Sequence, residues 1–262
     1  MPSERSPSEP PPERPLLLEL AQLTRAGEHL PPPRGEQELT ERATALAGRR
    51  LGEVAEALDV PVPPDLRRNK GWVGQLLERA LGADAKSRAQ PDFTGLGIEL
   101  KTLPVDARGR PLESTFVCTI ELAEIGRGEW AHSRVRDKLA RVLWVPVQGE
   151  RHLPVGERCI GTPLLWSLEG ELEAALRSDW EELSGLIGRG EVETLTGHLG
   201  RYLQVRPKAA SSRSRRLARD ADGVPYAELP RGFYLRARFT ALLLERHFAL
   251  PVSASQRRTR PG

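Results

Sequence analysis

The sequence predicts an α/β chain, an α+β mixed sheet flanked by helices, and three observations carry that reading. Strand-like runs occur at Gly97–Leu103, Ser114–Leu122 and Arg141–Val147. Helical periodicity marks Lys70–Leu81 and Glu171–Ile187. Proline and glycine clusters punctuate the intervals between them. At 262 residues, with 39% hydrophobic and 29% charged side chains, the chain can bury one large core or two lobes.

The elements follow in order. Residues 1–35 read as a disordered, Pro-rich leader, because nine of the 23 prolines fall there and no apolar period lasts. Leu16–Leu23 offers one short helix. The folded domain is expected from Glu36 to residue 250. Leu39, Ala43 and Leu46 share a helical face, and Leu51, Val54, Ala55 and Leu58 share another. Pro61, Pro63 and Pro64 then break the chain. Lys70–Leu81 is a helix with Trp72, Val73, Leu76, Leu77 and Ala80 on its apolar side and Glu78 nearly opposite. The strand-like runs come next, Arg141–Val147 being fed by a polar helical stretch with Arg134, Arg136 and Lys138. A longer helix at Glu171–Ile187 buries Leu172, Leu176, Leu183 and Ile187. Leu199–Arg206 and Phe233–Arg238 read as strands, and Thr240–Phe248 as a closing helix. Residues 251–262 are expected to form a flexible basic tail.

Composition narrows the function. A formal net charge of +3 is compatible with a polyanionic partner without demanding one. Cys118 and Cys159 sit in apolar runs, too few and too far apart for a disulfide framework or a thiolate zinc site. They read as free thiols of a reducing compartment. No apolar stretch approaches a membrane span and no signal peptide is evident, so the chain is expected in the cytoplasm. The five histidines lack metal-ligand spacing, and no Walker loop, G-x-G-x-x-G or nucleophile elbow occurs.

The chemistry concentrates between Pro91 and Lys101. In a strand, Glu99 and Lys101 point to one face while Ile98 and Leu100 point to the other. The apolar pair can enter the core while the carboxylate and the ammonium share a cleft. Gly95 and Gly97 permit a turn that returns Asp92 to the side of Glu99. Two carboxylates can hold a hard divalent cation against a phosphodiester, and a lysine can act on the attacking water. Alone, such a spacing occurs by chance in many proteins, as an amphipathic edge strand with a surface ion pair. Three additions turn the balance: Pro91 directly before Asp92, the alternation around Glu99, and Glu78 on the polar face of an upstream helix.

Further blocks extend the pattern. They include Lys70-Gly71-Trp72-Val73-Gly74, the run from Asp92 through Asp106, Gly109–Glu113 leading to Thr115–Cys118, and Arg141–Val147. Pro163–Ser167, Asp179–Leu183, Tyr202–Ala210 and Pro230–Leu235 follow. On these blocks, from about Leu39 to Phe248, the chain resembles the MutH family of the PD-(D/E)XK restriction-endonuclease-like superfamily. The resemblance implies a two-lobed fold around a DNA cleft. It implies a magnesium-dependent endonuclease that nicks the unmethylated strand on the 5′ side of G at hemimethylated or unmethylated GATC, leaving a 5′-phosphate and a 3′-hydroxyl. It also implies a monomer, acting on double-stranded DNA and stimulated by MutL and, through it, MutS. By motif position Asp92 and Glu99 are the metal ligands with Glu78 as a further acid, Lys101 is the catalytic lysine, and Lys138 lies near the scissile phosphate. Lys70, Gly71, Phe116, Arg206, Pro207, Lys208 and Tyr234 line the DNA, and Tyr234 with Arg206 senses adenine methylation. The leader and the basic tail depart from the family pattern.

The residues themselves agree in the C-terminal half. From Arg201 to Arg219 there are seven basic residues and no acidic one. Such a run is either a solvated face or a phosphate-facing arm. Tyr234, between Arg231 and Arg236, either meets a base or packs half-buried on the sheet. Two rival readings stand beside the repair nickase: a GATC-specific Type II restriction endonuclease, and a non-catalytic DNA-binding module of the same fold. The first often carries a second, regulatory copy for which this chain has no room. The second is expected to lose an acid or the lysine, yet Asp92, Glu99 and Lys101 are all present.

Overall fold

The computed structural model describes residues 16–87, 89–120, 128–191, 195, 198–208, 216–219, 225–228 and 230–248. The expected tail, and Arg213 and Arg215 of the basic run, lie outside the described residues. Helices α1 (Leu16–Arg25), α2 (Glu36–Ala45), α3 (Leu51–Ala57) and α4 (Trp72–Leu81) come first, then strands β1 (Glu99–Val105) and β2 (Thr115–Thr119). Helix α5 (Arg134–Leu139) feeds β3 (Arg141–Gln148), followed by β4 (Leu164–Ser167) and the long helix α6 (Gly170–Gly188). Strands β5 (Leu203–Pro207), β6 (Arg216–Arg219), β7 (Pro225–Glu228) and β8 (Arg231–Leu235) lead to helix α7 (Ala237–Phe248).

The strands form small sheets rather than one continuous sheet. β1 and β3 pair in parallel and β4 joins β3 antiparallel, which makes a mixed sheet. β2, β8 and β5 form an antiparallel sheet in that order, and β6 pairs with β7. The expected mixed sheet is therefore present and carries Glu99 and Lys101. The later strands belong to its antiparallel neighbour.

β3 explains how the sheets are held together. Its side chains alternate between two apolar cores: Leu143, Val145 and Val147 enter one, Val142 and Trp144 the other. The first core gathers α1 to α4 with Phe93, Ile98 and Leu100. The second gathers β2, α5, α6, β5, β8 and α7, with edge-to-face contacts of Phe239 to Trp166 and Tyr202. The lobe expected from residues 36–110 also takes in α1 and the segment at Val155 and Ile160.

One boundary is corrected. The leader expected to be disordered to residue 35 is ordered from Leu16, where α1 buries Leu16 and Leu20 on the first core. The prolines that suggested disorder flank α1 and none lies within it. Leu30 is buried too, and Arg42 donates to Pro31 O (2.7 Å) and Leu81 O (3.1 Å), tying this segment to the end of α4. Gly82 caps α4 with φ +79, and a Cβ there would stand 2.5 Å from Pro31 O. Among the described residues no helix is long and apolar enough to cross a membrane.

Candidate active site and nucleic-acid face

The site starts from a turn. Phe93 and Ile98 exchange backbone hydrogen bonds, Phe93 N–H to Ile98 O at 2.9 Å and Ile98 N–H to Phe93 O at 3.3 Å. Gly97, at φ +66, supplies the left-handed step; Gly95 is not needed for it. The turn folds Asp92 back onto β1, where its Oδ2 accepts from Leu100 N–H at 2.8 Å.

On β1 the alternation holds. Leu100 enters the first core, while Glu99 and Lys101 stand on the opposite face, in register with Val142 and Trp144 of β3. Both side chains are buried, 7% and 8% exposed, but in a polar cluster rather than an apolar one. Lys101 Nζ lies 3.3 Å from Glu99 Oε1, and Lys138 Nζ lies 2.8 Å from Glu99 Oε2. Lys138, on α5, also donates to Gln90 O at 2.6 Å. A buried carboxylate between two ammonium groups satisfies what burial would otherwise penalise. Ser133 caps α5 by accepting from Arg136 N–H, which fixes the helix that delivers Lys138.

Asp92 is the strained partner. Its carboxyl is pushed above the usual carboxylate range, first by burial and then by the Glu99 charge. Two adjacent carboxylates, one of them raised by its neighbour's charge, offer hard oxygen donors to a divalent cation, so the residues present fit magnesium or a like ion. Glu78 enters differently. It lines, with Asp92, His29 and Arg79, a cleft of about 380 Å³ that Glu99 does not line. Among the described residues no three His, Cys, Asp or Glu side chains form a ready-made ion cage. The structure thus brings Asp92, Glu99, Lys101 and Lys138 together and holds Glu78 at the neighbouring cleft.

A second group of expected residues meets on the β2-β8-β5 sheet. Phe116 pairs with Tyr234 across the ladder, their rings 5.3 Å apart and edge-to-face. Arg206 stands 5.7 Å from the Tyr234 ring and donates to Ser114 Oγ at 2.6 Å. Lys208 Nζ stands 4.8 Å from the Phe116 ring and donates to Thr119 Oγ1 at 2.8 Å. Phe116 is 37% exposed, high for a ring of its size. Gly232 makes the arrangement possible, since a Cβ there would fall 2.9 Å from Phe116 Cε2. Pro207 ends β5 beside Arg231. The Tyr234 hydroxyl is pushed above its ordinary value by burial, with the Arg206 charge opposing. Lys70 and Gly71 join neither group. They are exposed at the start of α4, roughly 10 Å along the helix axis from Glu78.

Two carboxylates outside the expected site make structural contacts next to it and at the entry of β5. Asp84 Oδ1 accepts from Thr94 N–H at 2.8 Å and its Oδ2 from Thr94 Oγ1 at 2.6 Å, and these bonds hold its carboxyl below the usual range. Asp179, buried on α6, accepts from the backbone N–H groups of Arg201, Tyr202 and Leu203, which sets the entry of β5. Its place in the Asp179–Leu183 block is the only trace in the sequence, and that block does not disclose its partners.

Comparison with known proteins shows the family to which the chain is similar. The family described as DNA mismatch repair enzyme MutH matches at residues 81–179, which include the turn, β1, β3 and α5. Over 218 residues the chain is 56% identical to the DNA mismatch repair protein MutH of Serratia proteamaculans, covering 83% of this chain and 96% of that one. It is 54% identical over 220 residues to the protein of the same name from Pectobacterium atrosepticum, covering 84% and 95%. The corresponding protein of Vibrio cholerae is 53% identical over 219 residues, covering 84% and 99%.

Proposed function

This chain belongs to the MutH family of DNA mismatch repair enzymes, and from that premise we propose that it is a magnesium-dependent endonuclease nicking the unmethylated strand of GATC sites. The observation that carries the proposal is the buried Glu99, held by Lys101 and Lys138 on the strand face beside Asp92. Asp92 and Glu99 would hold the magnesium, with Glu78 contributing from the adjoining cleft. Bound there, the ion supplies charge stabilisation to the phosphate and acidifies water. Lys101 orients the attacking water and stabilises the charge that develops on the phosphate oxygens. The water oxygen bonds to phosphorus and the bond to the 3′ oxygen breaks. A proton reaches that oxygen, giving a 3′-hydroxyl and a 5′-phosphate on G. Lys138 lies near the scissile phosphate.

The β2-β8-β5 face reads the DNA. Phe116, Arg206, Pro207, Lys208 and Tyr234 meet the duplex there, with Lys70 and Gly71 touching it from α4. Adenine N6 lies in the major groove, where a methyl group adds bulk and removes a donor position. Tyr234, supported by Arg206, rejects that methyl group. The enzyme works as a cytoplasmic monomer stimulated by MutL and, through it, MutS.

A nicking assay with magnesium on unmethylated, hemimethylated and fully methylated GATC duplexes tests this. Single-strand nicks confined to unmethylated strands are expected. Concerted double-strand cleavage would mean a restriction enzyme, and binding without cleavage a non-catalytic module.

A further inference from the structure

Asp84 is absent from every motif, yet it sits where three parts of the site meet. One neighbour is α4: the amide of Ala83, next to Asp84, donates to the carbonyl of Glu78 at 2.9 Å. Another is the loop before the turn, where the backbone amides of Asp84 and Ala85 both donate to Asp92 O, at 3.0 and 3.3 Å. The third is the turn itself, gripped through the two bonds from Thr94. Asp84 therefore grips the chain on both sides of Phe93, which is buried in the first core. Its backbone holds the main chain of Asp92, and its side chain holds the residue two positions on. The Asp92 carboxylate is fixed at its far end by Leu100 N–H. With backbone and side chain both restrained, Asp92 has little freedom to approach or leave Glu99.

We propose that Asp84 is a positioning residue that sets the distance between the Glu78-bearing helix and the Asp92–Glu99 pair, and thereby the affinity of the site for its divalent ion. This rests on the nuclease reading above. Two carboxylates that repel each other gain from being held at a fixed separation, because the ion then binds without first ordering the loop. The requirement is for hydrogen-bond acceptance and not for charge. Asn at this position keeps an acceptor for Thr94 N–H and can reverse the polarity of the hydroxyl contact.

The test is magnesium binding by calorimetry on the full chain, alongside amide hydrogen exchange of Ile98 and Leu100. Asp84→Ala is expected to weaken magnesium binding about tenfold and to raise by a similar factor the magnesium needed for half-maximal nicking. The nicking rate at saturating magnesium should stay within about twofold of wild type. Exchange at Ile98 and Leu100 should accelerate without magnesium. Asp84→Asn should restore both readouts, and Thr94→Val should fall between. Wild-type magnesium affinity and unchanged exchange in Asp84→Ala would overturn the proposal, as would failure of Asp84→Asn to rescue. If wild-type protein itself bound no magnesium, the nuclease reading would fail. The exchange readout would then still decide whether Asp84 holds the turn.

Discussion

The acid-lysine cluster on β1 and the aromatic-basic face on the β2-β8-β5 sheet solve opposite problems. In the cluster, Glu99, Lys101 and Lys138 are all less than a tenth exposed and their charges are matched at hydrogen-bonding distance. On the face, Phe116 is exposed, and Arg206 and Lys208 lie over rings while each donates to a hydroxyl group. Chemistry needs groups held to a fraction of an ångström in a low dielectric. Reading a duplex needs surface that can adapt to a groove. The difference is visible in what each region spends on rigidity: backbone clamps and buried pairs in one, cation–π and ring-edge contacts in the other.

The strongest way to break this comparison is at Glu99. Glu99→Gln should cut single-turnover nicking by roughly a thousandfold or more, the several kcal/mol that a bound ion contributes. DNA affinity without metal should hardly change. Lys101→Ala should lose the chemical step to a comparable degree while retaining metal and DNA binding. Activity within tenfold of wild type in either variant would remove these residues from the chemistry.

Tyr234→Ser is the next largest perturbation and acts on the other region. Discrimination against methylated strands should fall by roughly ten- to a hundredfold, the 1–3 kcal/mol of one specific contact. Nicking of unmethylated DNA should persist. Unchanged discrimination would put the sensor elsewhere. Arg206→Ala should be milder and less selective. It should weaken binding about tenfold on all sequences, or 1.4 kcal/mol, and lower the salt dependence of log K by roughly one. A loss confined to one methylation state would make Arg206 part of the methyl sensor rather than a general DNA contact.

The smallest effect sharpens the electrostatics of the cluster. Because the folded-state pKa of Asp92 is raised, the native fold holds that proton more tightly than the unfolded chain does. Stability without metal therefore falls as pH rises from the ordinary carboxylate range through the raised value. It stays lowered at neutral pH. Asp92→Asn should raise the metal-free Tm at neutral pH by about 2–4 °C, while abolishing nicking. In acid below the carboxylate range the gain should vanish, and thermal melts at the two pH values check this. A gain that persisted in acid would assign the effect to packing instead.

What was legible in the sequence was what local rules govern. The alternation of Ile98, Glu99, Leu100 and Lys101 needs only the strand period, and the same holds for the apolar face of α4. The grouping of Phe116 with Arg206, Lys208 and Tyr234 came from family motif position, because three strands far apart in sequence must pair to create it. The contacts of Asp84 and Asp179 were invisible for a related reason, although Asp179 itself stood in a matched block. Their partners are mainly backbone amides, which carry no residue identity to be read; the one side-chain partner, the Thr94 hydroxyl, lies ten residues on in the sequence. The short helix at Leu16–Leu23 was legible from its leucines, but the start of the folded domain was placed too late. Composition averages over a window, and the prolines around α1 outweighed the Leu-rich turns within it.

The alternating strand β3 has a consequence for how the molecule can change over time. Each odd-numbered position from Leu143 to Val147 answers to one core, and Val142 and Trp144 answer to the other. Inserting or deleting one residue in this strand would exchange the tenants of both interiors at once. Helices on either side can lengthen, shorten or drift in sequence with a single neighbourhood to satisfy. β3 has two, so drift there is confined to swaps of matching volume that keep its phase.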